Sequence, residues 1–430
     1  GRDRWNSNRE CFAQKYAPPG GTAGWEWFHK YVVTRIALGD AALGFKLGVA
    51  DDTDLGTLRV YDYEYRGTPA WRFNDSRHLP TSKETWNDWR GYGESLVHLR
   101  QARDDNSGVS GGTISITRTV RFRGLNQTIS APNVPQSGLQ IDTNEISNNT
   151  NEQKDQTWFA GRVAEVEKLT GKGDLIERTY TEYSATATAE DPDGINAKVI
   201  YPRYQLLRTP TDGAAFLRET VTDVFGSDGA NNSDVRVGAV TSVETREMRS
   251  GDADTYTTCT RTDYARSNSL YVRRPRETTT WGQQCVDPQS DSKMLSRQQH
   301  WYDGNSDASQ ISKGSLTESR VLLDKAGVEY HGEKFGYDSY GRVTSHTSGM
   351  TDVPNTGNVT TTEYNPSSST GDLLTEVRVT APGGMTTTQD LDNRRGLPYS
   401  ITDANGHDTK LGYDALGRLT KVQLPSLVTA

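Results

Sequence analysis

Along most of this chain apolar and polar residues alternate with a period of two, the pattern of half-buried strands. Arg59-Val-Tyr-Asp-Tyr-Glu-Tyr65, Thr113-Ile-Ser-Ile-Thr-Arg-Thr-Val-Arg-Phe122 and Val240-Thr-Ser-Val-Glu-Thr-Arg-Glu-Met248 all keep it. Thr, Val and Tyr dominate these runs, and their branched or aromatic side chains fit a pleated surface. Clusters of Gly, Asn and Asp punctuate the runs at short intervals. No long stretch carries a helical stripe; residues 84–100 hold Trp and Leu but are broken by Gly91-Tyr92-Gly93, so at most a helical turn is expected there. The pattern predicts an all-β, hairpin-rich fold with little helix.

Polar stretches divide the chain. Residues 142–156, including Asn148-Asn149-Thr150-Asn151, carry almost no apolar side chains and are expected to form a linker or long loop. Residues 226–234 read the same way, and Pro366-Ser-Ser-Ser-Thr-Gly371 reads as a longer turn. The expected organisation is a divergent β region over 1–141, the linker over 142–156, degenerate repeat strands over 157–320 and a repeat array over 321–430.

The array shows itself by self-similarity. Gly357, Gly384 and Gly406 are each followed seven residues later by Tyr364, Leu391 and Tyr413, with Thr-rich runs between. Tyr337-Asp-Ser-Tyr-Gly-Arg-Val-Thr344 matches Tyr413-Asp-Ala-Leu-Gly-Arg-Leu-Thr420, and the turn Asp324-Lys-Ala-Gly327 matches Asp403-Ala-Asn-Gly406. In each Tyr-Asp-x-x-Gly-Arg unit the Asp can accept backbone amides of the turn, and Gly supplies the positive φ that closes it. Asp338 with Gly341 and Arg342, and Asp414 with Gly417 and Arg418, hold those positions. One such unit buries too little to stand alone, so stability has to come from stacking units into a continuous sheet.

These units resemble the YD repeats of the Rhs family, found in polymorphic toxins, wall-associated proteins, toxin-complex subunits and teneurins. The resemblance is clean over about residues 322–425; Leu391-Asp392-Asn-Arg-Arg-Gly396 departs from it, with Leu for Tyr and one extra residue before Gly. Upstream, Tyr61 to Tyr65, Trp89 to Gly93 and Asp254 to Tyr264 are similar to the region preceding the repeats in actinobacterial members. The resemblance implies a β-sheet ribbon forming part of a hollow shell. It further implies a secreted or wall-associated protein whose own C-terminal effector domain is the enclosed partner. The chain ends in what reads as the middle of a further unit, and so as an internal fragment of a longer protein.

Composition agrees with a thin core: 33 % of residues are hydrophobic, or about 43 % with the 41 glycines, just under the roughly 45–50 % of globular domains. Twenty Tyr and nine Trp against 16 Pro argue against disorder. A net charge of −8 leaves no basic footprint for nucleic acid. Mean hydropathy of −0.76, with no apolar run near 18–20 residues, excludes a helical membrane span. The opening Gly1-Arg2-Asp3-Arg4 begins no signal segment, which suits either a cytosolic chain or a piece of a longer exported one.

No catalytic constellation emerges, and the chain reads as a non-enzyme without cofactor or metal. The histidines, His29, His78, His98, His300, His331, His346 and His407, fall in no metal-binding or i, i+4 pattern, and no Ser sits in a G-x-S-x-G elbow. Asp51-Asp52-Thr53-Asp54 and Asp191-Pro-Asp193-Gly194 lack the Glu of a calcium loop and read as solvated turns. Of three cysteines, Cys259 and Cys285 suit either a bridge between neighbouring strands or two unrelated buried thiols, leaving Cys11 over. The rival function is adhesion to cell-surface glycans, with Trp25 and Trp27, and Trp86 and Trp89, as the pairs that would stack on sugar rings.

Overall fold

The computed structural model describes residues 10–38, 58–74, 85–102, 112–125, 140–141, 153–190, 196–226, 236–251, 255–267, 272–322, 330–350, 358–367 and 373–425. Two compact units divide the chain: residues 1–232 with 243–257, and residues 233–242 with 258–430. The division falls inside the stretch expected as degenerate repeat strands.

Unit 1 is an antiparallel meander. Its strands Arg35–Leu38, Leu58–Arg66, Glu94–Ala102, Thr113–Arg121, Val163–Thr170, Leu175–Glu190, Asn196–Thr211 and Ala214–Val224 pair each with the next. Between Arg66 and its partner Glu94 the chain makes a side excursion, Ala70–Phe73 against Trp86–Gly91. Within residues 84–100, where at most a helical turn was expected, residues 86–91 and 94–100 are strand. Gly91, at φ 73°, ends one strand there rather than a helix. The excursion buries Trp71, Phe73 and Trp86, with Trp89 and Phe12 of the Cys11–Tyr16 strand packed on them. Each such aromatic contributes about 2–3 kcal/mol by leaving water.

A second core joins Phe122, Phe159 and Ala164. Beside it lies Asp155, fully buried although the sequence places it in an expected polar linker. Its carboxylate accepts the amides of Gly124 at 2.6 Å and Leu125 at 3.1 Å. That end of the linker is thus ordered, by hydrogen bonds rather than apolar burial: Gln153–Lys154 pairs with Gln140–Ile141. Residues 142–152 lie outside the described residues. Gly171 shows how closely strands approach, since a Cβ there would stand 1.7 Å from the Thr113 carbonyl oxygen.

Unit 2 is a longer meander. Thr255–Ser267, Val272–Trp281, Met294–Tyr302, Leu316–Leu322, Tyr330–Tyr337, Val343–Met350, Val359–Asn365, Glu376–Thr380, Thr386–Asp392, Leu397–Thr402, Asp408–Tyr413 and Leu419–Gln423 pair in chain order, all antiparallel. Ala265, Tyr302 and Ile311 form its apolar cluster. Beyond Ile311, Ser400 is the only buried side chain among the described residues. Helix among the described residues is confined to the single 3-10 turns Thr157–Phe159 and Asp291–Lys293.

Candidate functional site

The repeat signature folds into a turn in which one aspartate does most of the bonding. Asp338 Oδ1 accepts the amides of Tyr340 and Arg342, both at 2.9 Å, while its Oδ2 takes the Arg342 Nε–H at 2.6 Å. Gly341, at φ 80°, lets its amide turn back to the Asp338 carbonyl. Asp414, Leu416, Gly417 and Arg418 repeat this arrangement: amides at 2.9 Å, guanidinium at 2.6 Å and φ 79° at the glycine. Asp403 does the same with the amides of Asn405 and His407, in a turn closed by the same backbone bonds and by Gly406 at φ 83°. The amides of His407 and Arg418 hold Asp403 and Asp414 below the usual carboxylate range. At Asp338 desolvation pushes the other way, and the Arg342 amide and guanidinium with the Tyr340 amide outweigh it.

The tyrosine before the aspartate does a second job. Tyr337 donates its hydroxyl to the Leu316 carbonyl at 2.7 Å, Tyr364 to Val343 at 3.0 Å and Tyr413 to Pro398 at 3.0 Å. The register sets Glu318 opposite Lys334, hence Leu316 opposite Gly336. The hydroxyl therefore reaches the carbonyl opposite the residue that precedes the tyrosine. Tyr364 and Tyr413 keep the same offset. Such a bond bolts the end of one strand to the start of its neighbour.

Four further tyrosines, for which sequence reasoning assigned no such role, make the bolt upstream. Tyr65 reaches Val33 at 2.8 Å, Tyr183 Val163 at 2.9 Å, Tyr264 Val240 at 2.7 Å and Tyr302 Pro275 at 2.6 Å. Registers give Tyr65, Tyr183 and Tyr302 the same offset. Burial pushes the phenols of Tyr65, Tyr183, Tyr264, Tyr302 and Tyr337 up. Tyr302-Asp303-Gly304 is itself a Tyr-Asp pair, legible but overlooked because Gly follows without the two-residue gap. Asp303, at φ 59°, gathers the amides of Ser312, Lys313, Gly314 and Ser315 within 3.0 Å and closes a long loop instead of a tight turn. At the Thr170–Asp174 turn the Thr170 hydroxyl takes the aspartate's part, accepting the Lys172 and Asp174 amides.

The remaining expected positions fall as follows. Gly357, with Asp324 to Gly327, lies outside the described residues. Gly384, at φ 86°, turns the chain into the strand bearing Leu391. Leu391 has no hydroxyl and meets the Thr375 carbonyl with its own amide at 2.8 Å. In the altered turn that follows, Gly396 bonds back to the Asp392 carbonyl at 2.7 Å, and Arg395 reaches across to the Asp414 carbonyl at 3.0 Å. Arg342 lies 4.3 Å from the centre of the Tyr364 ring, tying its unit to the next. Grooves of about 650 Å³ and 420 Å³ lie between successive turns, one bordered by Asp303 and Tyr340, the other by Arg342 and Tyr364.

Cys259 and Cys285 are joined by a disulfide, their Cα atoms 5.0 Å apart, and Cys11 is free. Trp86 is 6 % exposed and edge-on to Phe73, while Trp89 packs on Trp71 at 4.7 Å. Core packing has therefore taken Trp86 from the proposed sugar-stacking set and half-buried Trp89. Trp25 and Trp27 are half-exposed, two residues apart on one face of their hairpin. Among the described residues no three His, Cys, Asp or Glu are grouped to hold a metal ion, and no helix is long and apolar enough to cross a membrane.

Unit 1 adds an ion-pair network. Arg118 meets Glu94 at 3.1 Å, Glu167 at 3.1 Å and Glu165; Glu167 also meets Arg178. Arg66 links Glu94 to Glu64, and Asp62 bridges Arg35 and Arg100. Burial pushes the Glu165 carboxyl up against the pull of Arg118.

Residues 393–426 match the family RHS Repeat. The crystal structure of TcdB2-TccC3-Cdc42 is similar over 92 % of this chain, with a TM-score of 0.57 and 11 % identity, and that of TcdB2-TccC3-TEV over 85 %, with 0.54 and 12 %. The match spans 22 % and 21 % of those two chains, about a fifth. No curated protein matches the sequence. The repeat match falls on the Tyr413-Asp-x-x-Gly-Arg418 unit, whose bolt recurs through both meanders: residues 393–426 match an RHS repeat, in a chain whose fold is similar to that of the two TcdB2-TccC3 structures.

Proposed function

We propose that these residues are a section of non-catalytic wall in a toxin-associated Rhs shell, enclosing an effector domain that belongs to the same protein. The observation that carries the reading is the recurrence of one bolt through two meanders with little core of their own. Bonding is spent on continuing the sheet rather than on building a pocket. A disulfide persists in oxidising surroundings, which supports a secreted or wall-associated protein. Growth of a host expressing the segment encoded after residue 430, alone and within the full-length protein, tests the reading. Killing by the free segment and not by the enclosed one is expected; killing by both, or by neither, overturns it.

A second reading, adhesion to cell-surface glycans, is favoured by one observation, the half-exposed Trp25 and Trp27 on a common hairpin face. Glycan binding that is lost in a Trp25→Ala, Trp27→Ala double variant would support it.

A further inference from the structure

The Cys259–Cys285 bridge is not a strand-to-strand staple. Cys259 stands opposite Trp281 on the neighbouring strand, so its register partner is already supplied. Cys285 lies four residues further on, in the segment between Trp281 and Met294, and the disulfide folds that segment back over the Cys259–Trp281 pair. Cys259 is completely buried, and Trp281, Gln283 and Met294 are nearly so. The Trp281 indole N–H has no partner in this enclosure.

The ties from the flap to the Cys259 strand converge on Cys285, while Asp291 holds the far end of the segment to Arg297 at 3.2 Å. Besides the disulfide, the Arg261 guanidinium donates to the Cys285 carbonyl at 2.6 Å, and Gln289 donates to the same oxygen at 3.4 Å. Within the flap, Gln283 bonds the Pro288 carbonyl and Gly282 that of Lys293, which close the segment on itself without fastening it to the Cys259 strand. Val286, next to Cys285, is 80 % exposed.

From this geometry we infer that residues 282–293 form a redox-sensitive flap, latched over the sheet in oxidising surroundings and released in a thiol-rich compartment. The inference stands independently of the enclosing role. A reductant thiolate, from a small thiol or a dithiol reductase, attacks the half-buried Cys285 sulfur, since the Cys259 sulfur is covered. A mixed disulfide forms at Cys285, the protein S–S bond breaks, and the Cys259 thiolate leaves and takes up a proton. A second reductant thiol resolves the mixed disulfide, so two electrons pass to the protein, which ends with two thiols while the reductant ends as a disulfide. The released flap uncovers Trp281.

Hydrogen exchange on the described chain, carried as Cys11→Ser to remove the third thiol, tests this with and without dithiothreitol. Reduction should speed exchange across 282–293 by about tenfold or more and leave 330–365 unchanged. Cys285→Ser should show the fast exchange without reductant and ignore its addition. Equal exchange in both redox states would overturn the inference by showing that packing alone holds the flap. Faster exchange throughout 255–322 would overturn it too, because the bridge would then support the whole sheet.

Discussion

Upstream strands of 16 residues, Leu175–Glu190 and Asn196–Thr211, contrast with strands of five to eight residues beyond Leu316. Beside the first of them, strands of eight and nine residues are tied across their faces by ions: Glu165 and Glu167 keep 12 % and 8 % of their side-chain surface, Arg118 serves both, and Arg178 carries the network onto Leu175–Glu190. The short strands are tied at their ends, by an aspartate and arginine within one turn; Arg418 there is 74 % exposed. What both regions share is the tyrosine bolt. Turn and face chemistry differ between the two regions, whereas the contact that sets one strand end against its neighbour does not.

The sharpest way to break this contrast is at Arg118. Its removal leaves Glu165 buried without its guanidinium and Glu167 with Arg178 alone, and Arg118→Ala should destabilise unit 1 by about 3 kcal/mol in denaturant unfolding. Unit 2 exchange rates should stay as they are. Next comes Asp303→Ala, which strips four loop amides of one acceptor and should cost about 1.5–3 kcal/mol, with protection lost first across 303–315. Gly341→Ala, forced into positive φ, should cost about 1–2 kcal/mol in unit 2.

Solution pH separates the two kinds of tie. The turn aspartates Asp338, Asp403 and Asp414 have folded pKa values below the unfolded one, so their contribution is present above about pH 4 and is lost as pH falls through the folded values. The bolting phenols are raised, so their contribution is present below about pH 10 and is lost as pH rises through the folded values. Acid should therefore loosen the turns of 338–342 and 414–418 first, and alkali should loosen both units together. Hydrogen exchange at acid pH and circular dichroism at alkaline pH read these two arms.

The turn was legible in the sequence because its partners are local: Asp338, Gly341 and Arg342 lie within four residues of one another. The bolt was not, because Tyr183 and Val163 are 20 residues apart and no Asp follows Tyr183 to mark it. Asp155 was missed for a related reason. Its burial depends on the amides of Gly124 and Leu125, some 30 residues upstream, and hydropathy assigns such a residue to a linker. The all-β reading survived because strand periodicity needs only neighbours. In residues 84–100 the glycines that limited any helix to a single turn, Gly91 and Gly93, mark the reversal between two strands.

One comparison tests the shared bolt most directly. Tyr183→Phe and Tyr337→Phe each remove a single hydroxyl, in units 1 and 2 respectively, with the ring retained. If the bolt is common to both regions, the two variants should lose similar stability, about 0.5–1.5 kcal/mol each, with exchange quickening at Val163 in one and Leu316 in the other. A loss at Tyr337 alone, with Tyr183→Phe indistinguishable from the parent, would contradict the account.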